Sequence, residues 1–170
     1  MIDLVPHPQT PRGAVRGVHA AVARGPRGML AVRYRIEGDL ERLRIPAARA
    51  PTSRGERLWQ RTCCEIFIAR PGTAAYREFN FSPSGEWAAY AFERYREGGP
   101  CAADDPKIAL RRSVDALELQ ASIPLETGET LVALSAVIED ADGSLSYWAL
   151  RHAPGKPDFH HPDAFALELD

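Results

Sequence analysis

One stretch, 58–95, constrains the fold more than any other: LWQRTCCEIFIARPGTAAYREFNFSPSGEWAAYAFERY. It reads as three consecutive strands, 62–69, 75–82 and 86–95, separated by Arg70-Pro71-Gly72 and Pro83-Ser84-Gly85. Both breaks are Pro and Gly punctuation of the hairpin type. β-branched and aromatic residues dominate between them, as a pleated, half-buried surface prefers. Side chains alternate between faces along a strand. Cys64, Ile66 and Ile68 therefore oppose Cys63, Glu65 and Phe67, and Ala75, Arg77, Phe79 and Phe81 oppose Tyr76, Glu78, Asn80 and Ser82. With the apolar sets turned to the core, Glu65, Glu78 and Asn80 are left as a polar patch on the other face. Trp87 and Tyr90 must lie on opposite faces of the third strand.

The rest of the chain follows the same pattern. Residues 18–23, 29–37, 40–45, 107–113, 116–123, 131–138, 145–150 and 164–169 read as further strands. In 29–37, Leu30, Val32, Tyr34 and Ile36 point inward and Arg33, Arg35 and Glu37 outward. Residues 131–138 are almost wholly apolar, as befits a central strand covered on both sides. Pro6, Pro8 and Pro11 make the N-terminal segment irregular or extended, 46–57 reads as a loop, 96–106 as a flexible loop and 151–163 as a long, proline-bearing one. No stretch shows sustained helical periodicity. The expected fold is a single all-β domain, an antiparallel β-sandwich of about ten strands.

Composition excludes several functions. The chain has 170 residues, 45% of them apolar and 26% charged, with net charge −2. Nothing here attracts nucleic acid or an anionic membrane. No apolar run approaches a membrane span. The start, MIDLVPHPQTPRG, has no basic n-region or apolar h-region, and a cytoplasmic location is expected. Three cysteines, Cys63, Cys64 and Cys101, form no disulfide framework and read as small buried residues. His152, His160 and His161 match no zinc spacing, and Asp140, Asp142 and Gly143 read as a hairpin turn rather than a calcium loop. No metal is expected, and without a phosphate loop, nucleophile elbow or nucleotide fingerprint, no cofactor or catalytic residue.

Saccharide binding takes an aromatic platform for the C–H face and carboxylates or amides for the hydroxyls. The platforms available are Trp59, Trp87 and Trp148. The polar candidates are Glu65, Glu78 and Asn80 on strands, and His152, Lys156, Asp158 and His160 in the late loop. Trp59, Glu65, Asn80 and Trp148 rank first. Glu65 and Glu78 sit on strands expected to pair, where facing residues lie about 5 Å apart. That is near the separation in retaining glycosidases, but a solvated pair with matching surroundings is the expectation, and no hydrolysis.

The run Leu58-Trp59, Thr62-Cys63, Glu65, Phe67, Tyr76, Glu78 to Gly85, Trp87 to Tyr90 and Tyr95-Arg96 resembles the DOMON-like proteins of bacteria, which are related to the family nine carbohydrate-binding modules. The tail Tyr147 to Leu150, His152, Lys156 to His160 and Phe165 is similar to the same group. The resemblance implies a jelly-roll-like sandwich, an ancestry of binding sugar or haem, and for Glu65 the place of the acidic residue of the carbohydrate-binding pattern. Haem ligation by a Met and a His is not matched, since the one internal methionine, Met29, lies in a regular strand. The function expected is a non-catalytic module for a saccharide or related polyhydroxylated molecule. The alternative is a protein-interaction or structural domain with a protein partner.

Overall fold

The computed structural model describes residues 1–170 and contains thirteen strands and four short 3-10 turns. The strands are β1 (Ile2–Pro6), β2 (Val15–Arg24), β3 (Met29–Gly38), β4 (Ser53–Arg54), β5 (Cys63–Ala69), β6 (Tyr76–Phe81), β7 (Glu86–Arg94), β8 (Glu97–Pro100), β9 (Ala109–Arg112), β10 (Ala116–Pro124), β11 (Leu131–Glu139), β12 (Leu145–Ala149) and β13 (Leu167–Glu168). They form one curled sheet in the order β4-β7-β6-β5-β11-β12-β1-β2-β3-β10-β9, with β8 added on β7 and β13 on β11. The sheet is mixed rather than purely antiparallel, because Ser53 and Arg54 run parallel to Glu86 and Trp87. The halves are continuous through β1. Its residues Ile2 to Leu4 pair with β2, and Val5 and Pro6 pair with β12.

Both halves turn their apolar faces into one core. Leu30, Val32, Tyr34 and Ile36 of β3 and Leu117, Leu119, Ala121 and Ile123 of β10 share it with Cys64, Ile66 and Ile68 of β5 and with Phe79 and Phe81 of β6. Period-two alternation is what makes one core possible. Tyr34 is fully buried, and its hydroxyl donates to the Glu65 carbonyl across the core at 2.5 Å. The β6–β7 turn uses Gly85 at φ 88°, and a Cβ there would lie 3.0 Å from the Arg49 carbonyl, so the position demands glycine.

Several local expectations are corrected. Residues 40–45 are not a strand: the Asp39 carboxylate accepts from the Glu41 N–H and caps a 3-10 turn at Leu40–Arg42, leaving a single bridge at Leu43. Residues 97–100 are β8 rather than a flexible loop, while the N-terminal segment is extended, as β1. At the C-terminus only Leu167–Glu168 is strand, preceded by a turn at Pro162–Ala164. The turn at Asp140 is a hairpin turn as expected, with Gly143 N–H on the Asp140 carbonyl at 2.9 Å.

Candidate functional site

The face of β5, β6, β7, β11 and β12 turned away from the main core carries the site. Strand register sets its floor. Glu65 stands between Ser135 of β11 and Asn80 of β6, and the next row places Glu78 between Phe67 and Tyr90. Glu65 and Glu78 are thus diagonal neighbours, about 7 Å apart at Cβ rather than directly facing. Val137 and Tyr147, opposed across β11 and β12, extend the floor. Tyr90 and Phe92 follow Glu78 outward along the same face. Gly98, Gly99 and Pro100 of β8 form one wall, and Pro157, Phe159 and His160 of the late loop form another. Trp59 stands at the rim, 40% exposed and edge-on to Tyr90 at 5.8 Å. Together they enclose a cavity of about 460 Å³, within the size range of small-molecule sites.

The two carboxyls are buried, not solvated as expected. Glu65 is 3% exposed and Glu78 4%. Glu65 Oε1 has no hydrogen-bond partner, and neither do the adjacent Asn80 Oδ1 and Ser135 Oγ. Burial, reinforced by the nearby Glu78 carboxyl, pushes Glu65 well above the usual carboxylate range. Burial also raises Glu78, to about 7, against the lowering effect of the hydrogen bond from Asn80 Nδ2 at 2.8 Å. Arg77 turns to the opposite face, as alternation requires, and forms an ion pair with Glu129 at 2.5 Å.

The late loop is held over the site by polar links. Arg96 binds Asp158 at 2.9 Å, Tyr95 donates to the same carboxylate at 2.6 Å, and the His160 N–H donates to it at 3.1 Å. Burial acts to raise the Asp158 carboxyl, but these partners together hold it below its ordinary value. The Tyr76 hydroxyl accepts the Arg96 N–H at 3.1 Å, so its own proton goes to His160 Nδ1 at 2.9 Å. That network places the imidazole proton on Nε2, 3.8 Å from Glu78 Oε2. Burial pulls His160 down to about 4, and it is neutral at neutral pH.

Of the residues singled out in the sequence, Trp59, Glu65, Glu78 and His160 line this cavity, while Asn80 and Asp158 brace it from behind. Trp87 and Trp148 do not belong to it. Both are fully buried on the main-core face, where Trp148 Nε1 donates to Ser146 Oγ at 3.0 Å and the Arg54 guanidinium lies 4.2 Å from the Trp87 ring. The reason is parity: Ala136, the pairing partner of Trp148, faces the core. His152 lies elsewhere, donating from Nε2 to the Val5 carbonyl at 2.7 Å, and Lys156 is exposed on the loop surface. Tyr90, Phe92, Tyr147, Phe159 and Arg96 line the cavity and were not singled out as contacts. For Tyr90 and Phe92 the available signal was their shared parity on the strand after Glu78.

The fold and cavity define an all-β protein with a concave, aromatic-walled, acid-floored pocket. No family model and no curated protein matches the sequence. Among solved structures, the fold is similar to that of a protein of Bacteroides uniformis ATCC 8492 proposed to bind carbohydrate. The TM-score is 0.61 at 17% identity, over 88% of this chain and 76% of that one. A family 9 carbohydrate-binding module of Caldicellulosiruptor kristjanssonii in complex with cellotriose aligns at TM-score 0.45 and 14% identity, over 81% and 68%.

Proposed function

We propose that this chain is a non-catalytic saccharide-binding domain on a jelly-roll-like scaffold of the DOMON and family nine type. One observation carries the reading. A single pocket combines the rings of Trp59, Tyr90 and Phe92 with the buried carboxyls of Glu65 and Glu78. Aromatic faces suit the C–H face of a sugar ring, and unpartnered buried oxygens call for a ligand that completes their hydrogen bonds. The fold likeness to the Bacteroides protein supports the same reading. The concave surface over Glu65 favours a small ligand over a flat protein partner. Two carboxyls do not make a glycosidase here. Catalysis by such a pair needs one carboxyl held protonated and the other firmly ionised, and burial pushes both of these toward the protonated form.

A thermal-shift screen over a broad panel of oligosaccharides tests the proposal. At about a hundredfold excess over Kd, a true ligand raises the melting temperature by about 5 °C or more. No response from any saccharide, with a stoichiometric protein partner recovered instead, favours the interaction-domain alternative.

A further inference from the structure

We infer that the pocket takes a cationic saccharide, one carrying a protonated amine whose ammonium sits between the Glu65 and Glu78 carboxyls. The inference rests on the saccharide reading and narrows its ligand class. The pocket floor holds two acids, and no cationic side chain is hydrogen-bonded to either. Glu65 is 3% exposed, lines the cavity, and has Oε1 without a partner. Glu78 is 4% exposed and has a neutral donor, Asn80. Arg77 is committed to Glu129 on the other face, and Arg96 at the rim is paired with Asp158, its charge reaching Glu78 only through space and without a hydrogen bond. His160 Nε2 stands 3.8 Å from Glu78, beyond hydrogen-bond distance, and is uncharged.

A ligand ammonium supplies what is missing. It brings three donors and one positive charge, whereas each sugar hydroxyl brings a single donor and no charge. The walls suit it too, because they carry the aromatic rings of Trp59, Tyr90 and Phe92, and aromatic rings attract a desolvated cation. A neutral sugar offers no charge to pair with these carboxyls, so any ionised form of the pair beneath it stays an unpaired buried charge, which is costly.

The same geometry makes binding proton-linked. The ionisable groups around the pair are Cys63 on β5, Tyr76 on β6, Tyr90 on β7, Tyr147 on β12, Arg96 in the turn, and Asp158 and His160 on the late loop. Cys63 and the three tyrosines are shifted up, mainly by burial. Asp158 and His160 are shifted down, and Arg96 up. None of these changes charge near neutrality, so the proton that leaves when an ammonium enters comes from the Glu65–Glu78 pair.

Calorimetric titration of the intact protein with a glucosamine trimer, its N-acetylated form and cellotriose tests this. The glucosamine trimer should bind about tenfold or more tightly than either neutral trimer. Its affinity should rise from mildly acidic to neutral pH, with proton release read from buffers of different ionisation heat. Glu65→Gln and Glu78→Gln should each weaken it by about tenfold or more, while melting no lower than the parent protein, which separates lost affinity from unfolding. Equal or tighter binding of a neutral trimer overturns the inference and leaves the saccharide reading standing. Failure of all three, in a protein that also ignores a wider glycan panel, removes the saccharide reading itself. Glucosamine binding that survives both substitutions also overturns the inference.

Discussion

Glu65 and Glu78 are carboxylic acids held where the charged form is disfavoured, and that has a thermodynamic signature. The folded-state pKa of Glu78 is about 7 against 4.5 unperturbed. Between those values the folded state binds more protons than the unfolded state, so raising pH through that window removes stability. His160, pulled down to about 4, acts in the opposite direction over much of that window and Glu65 adds a slope of its own, so the Glu78 effect is read as a difference: without ligand, the parent protein should lose melting temperature relative to Glu78→Gln as pH rises from mildly acidic to just above neutral. A profile that rises with pH and is unchanged by the substitution contradicts the burial described for this pair. The tryptophans divide by parity in a way that mutation can read. Trp148→Ala should cost about 3–5 kcal/mol, because the ring fills the main core. Trp59→Ala, at an exposed rim position, should change stability by well under 1 kcal/mol while weakening any saccharide that stacks there. Chemical denaturation of both variants beside a binding titration separates the two roles. The sequence offered three tryptophans as platforms and ranked Trp59 and Trp148 first. Only strand pairing, with Trp148 opposite core-facing Ala136, distinguishes core from rim.

At the level of elements, alternation made β3, β5, β6, β10 and β11 legible, because each packs apolar residues of one parity onto the core. The hairpin turns were legible for the same local reason, with Gly72 and Gly85 both at positive φ. β8 was not. Its Glu-Gly-Gly-Pro sequence has no strand propensity, and it is a strand because it docks on the open edge of β7. That docking requires Gly98, where a Cβ would lie 2.1 Å from the Ala91 carbonyl oxygen. Gly98→Ala should push β8 off β7 and dismantle one wall of the pocket. Hydrogen exchange at the Ala91 amide, which shares the β8-facing parity of Ala89, should speed up while Phe92, of the β6-facing parity, and β10 stay protected. Unchanged protection along β7 contradicts this account of the wall. The pocket was only half legible for the same reason: its floor comes from alternating strands, but two of its walls come from segments that acquire structure by docking.

At the scale of the molecule, β1 joins the two halves of the sheet. It pairs with β2 through Ile2 to Leu4 and with β12 through Val5 and Pro6. Removing residues 1–6 should expose two strand edges at once, lowering the melting temperature and promoting association, as seen by light scattering. A truncated chain that melts as the full one does contradicts the continuity of the sheet through β1. The central claim, that the acid-floored pocket receives a saccharide, is tested most directly by backbone NMR shift mapping during titration with the oligosaccharide that most raises the melting temperature. The account predicts shifts centred on Glu65, Glu78, Tyr90, Tyr147 and His160, with the outer face of β3 and β10 silent. Shifts confined to that outer face, or none at saturating saccharide, would contradict it.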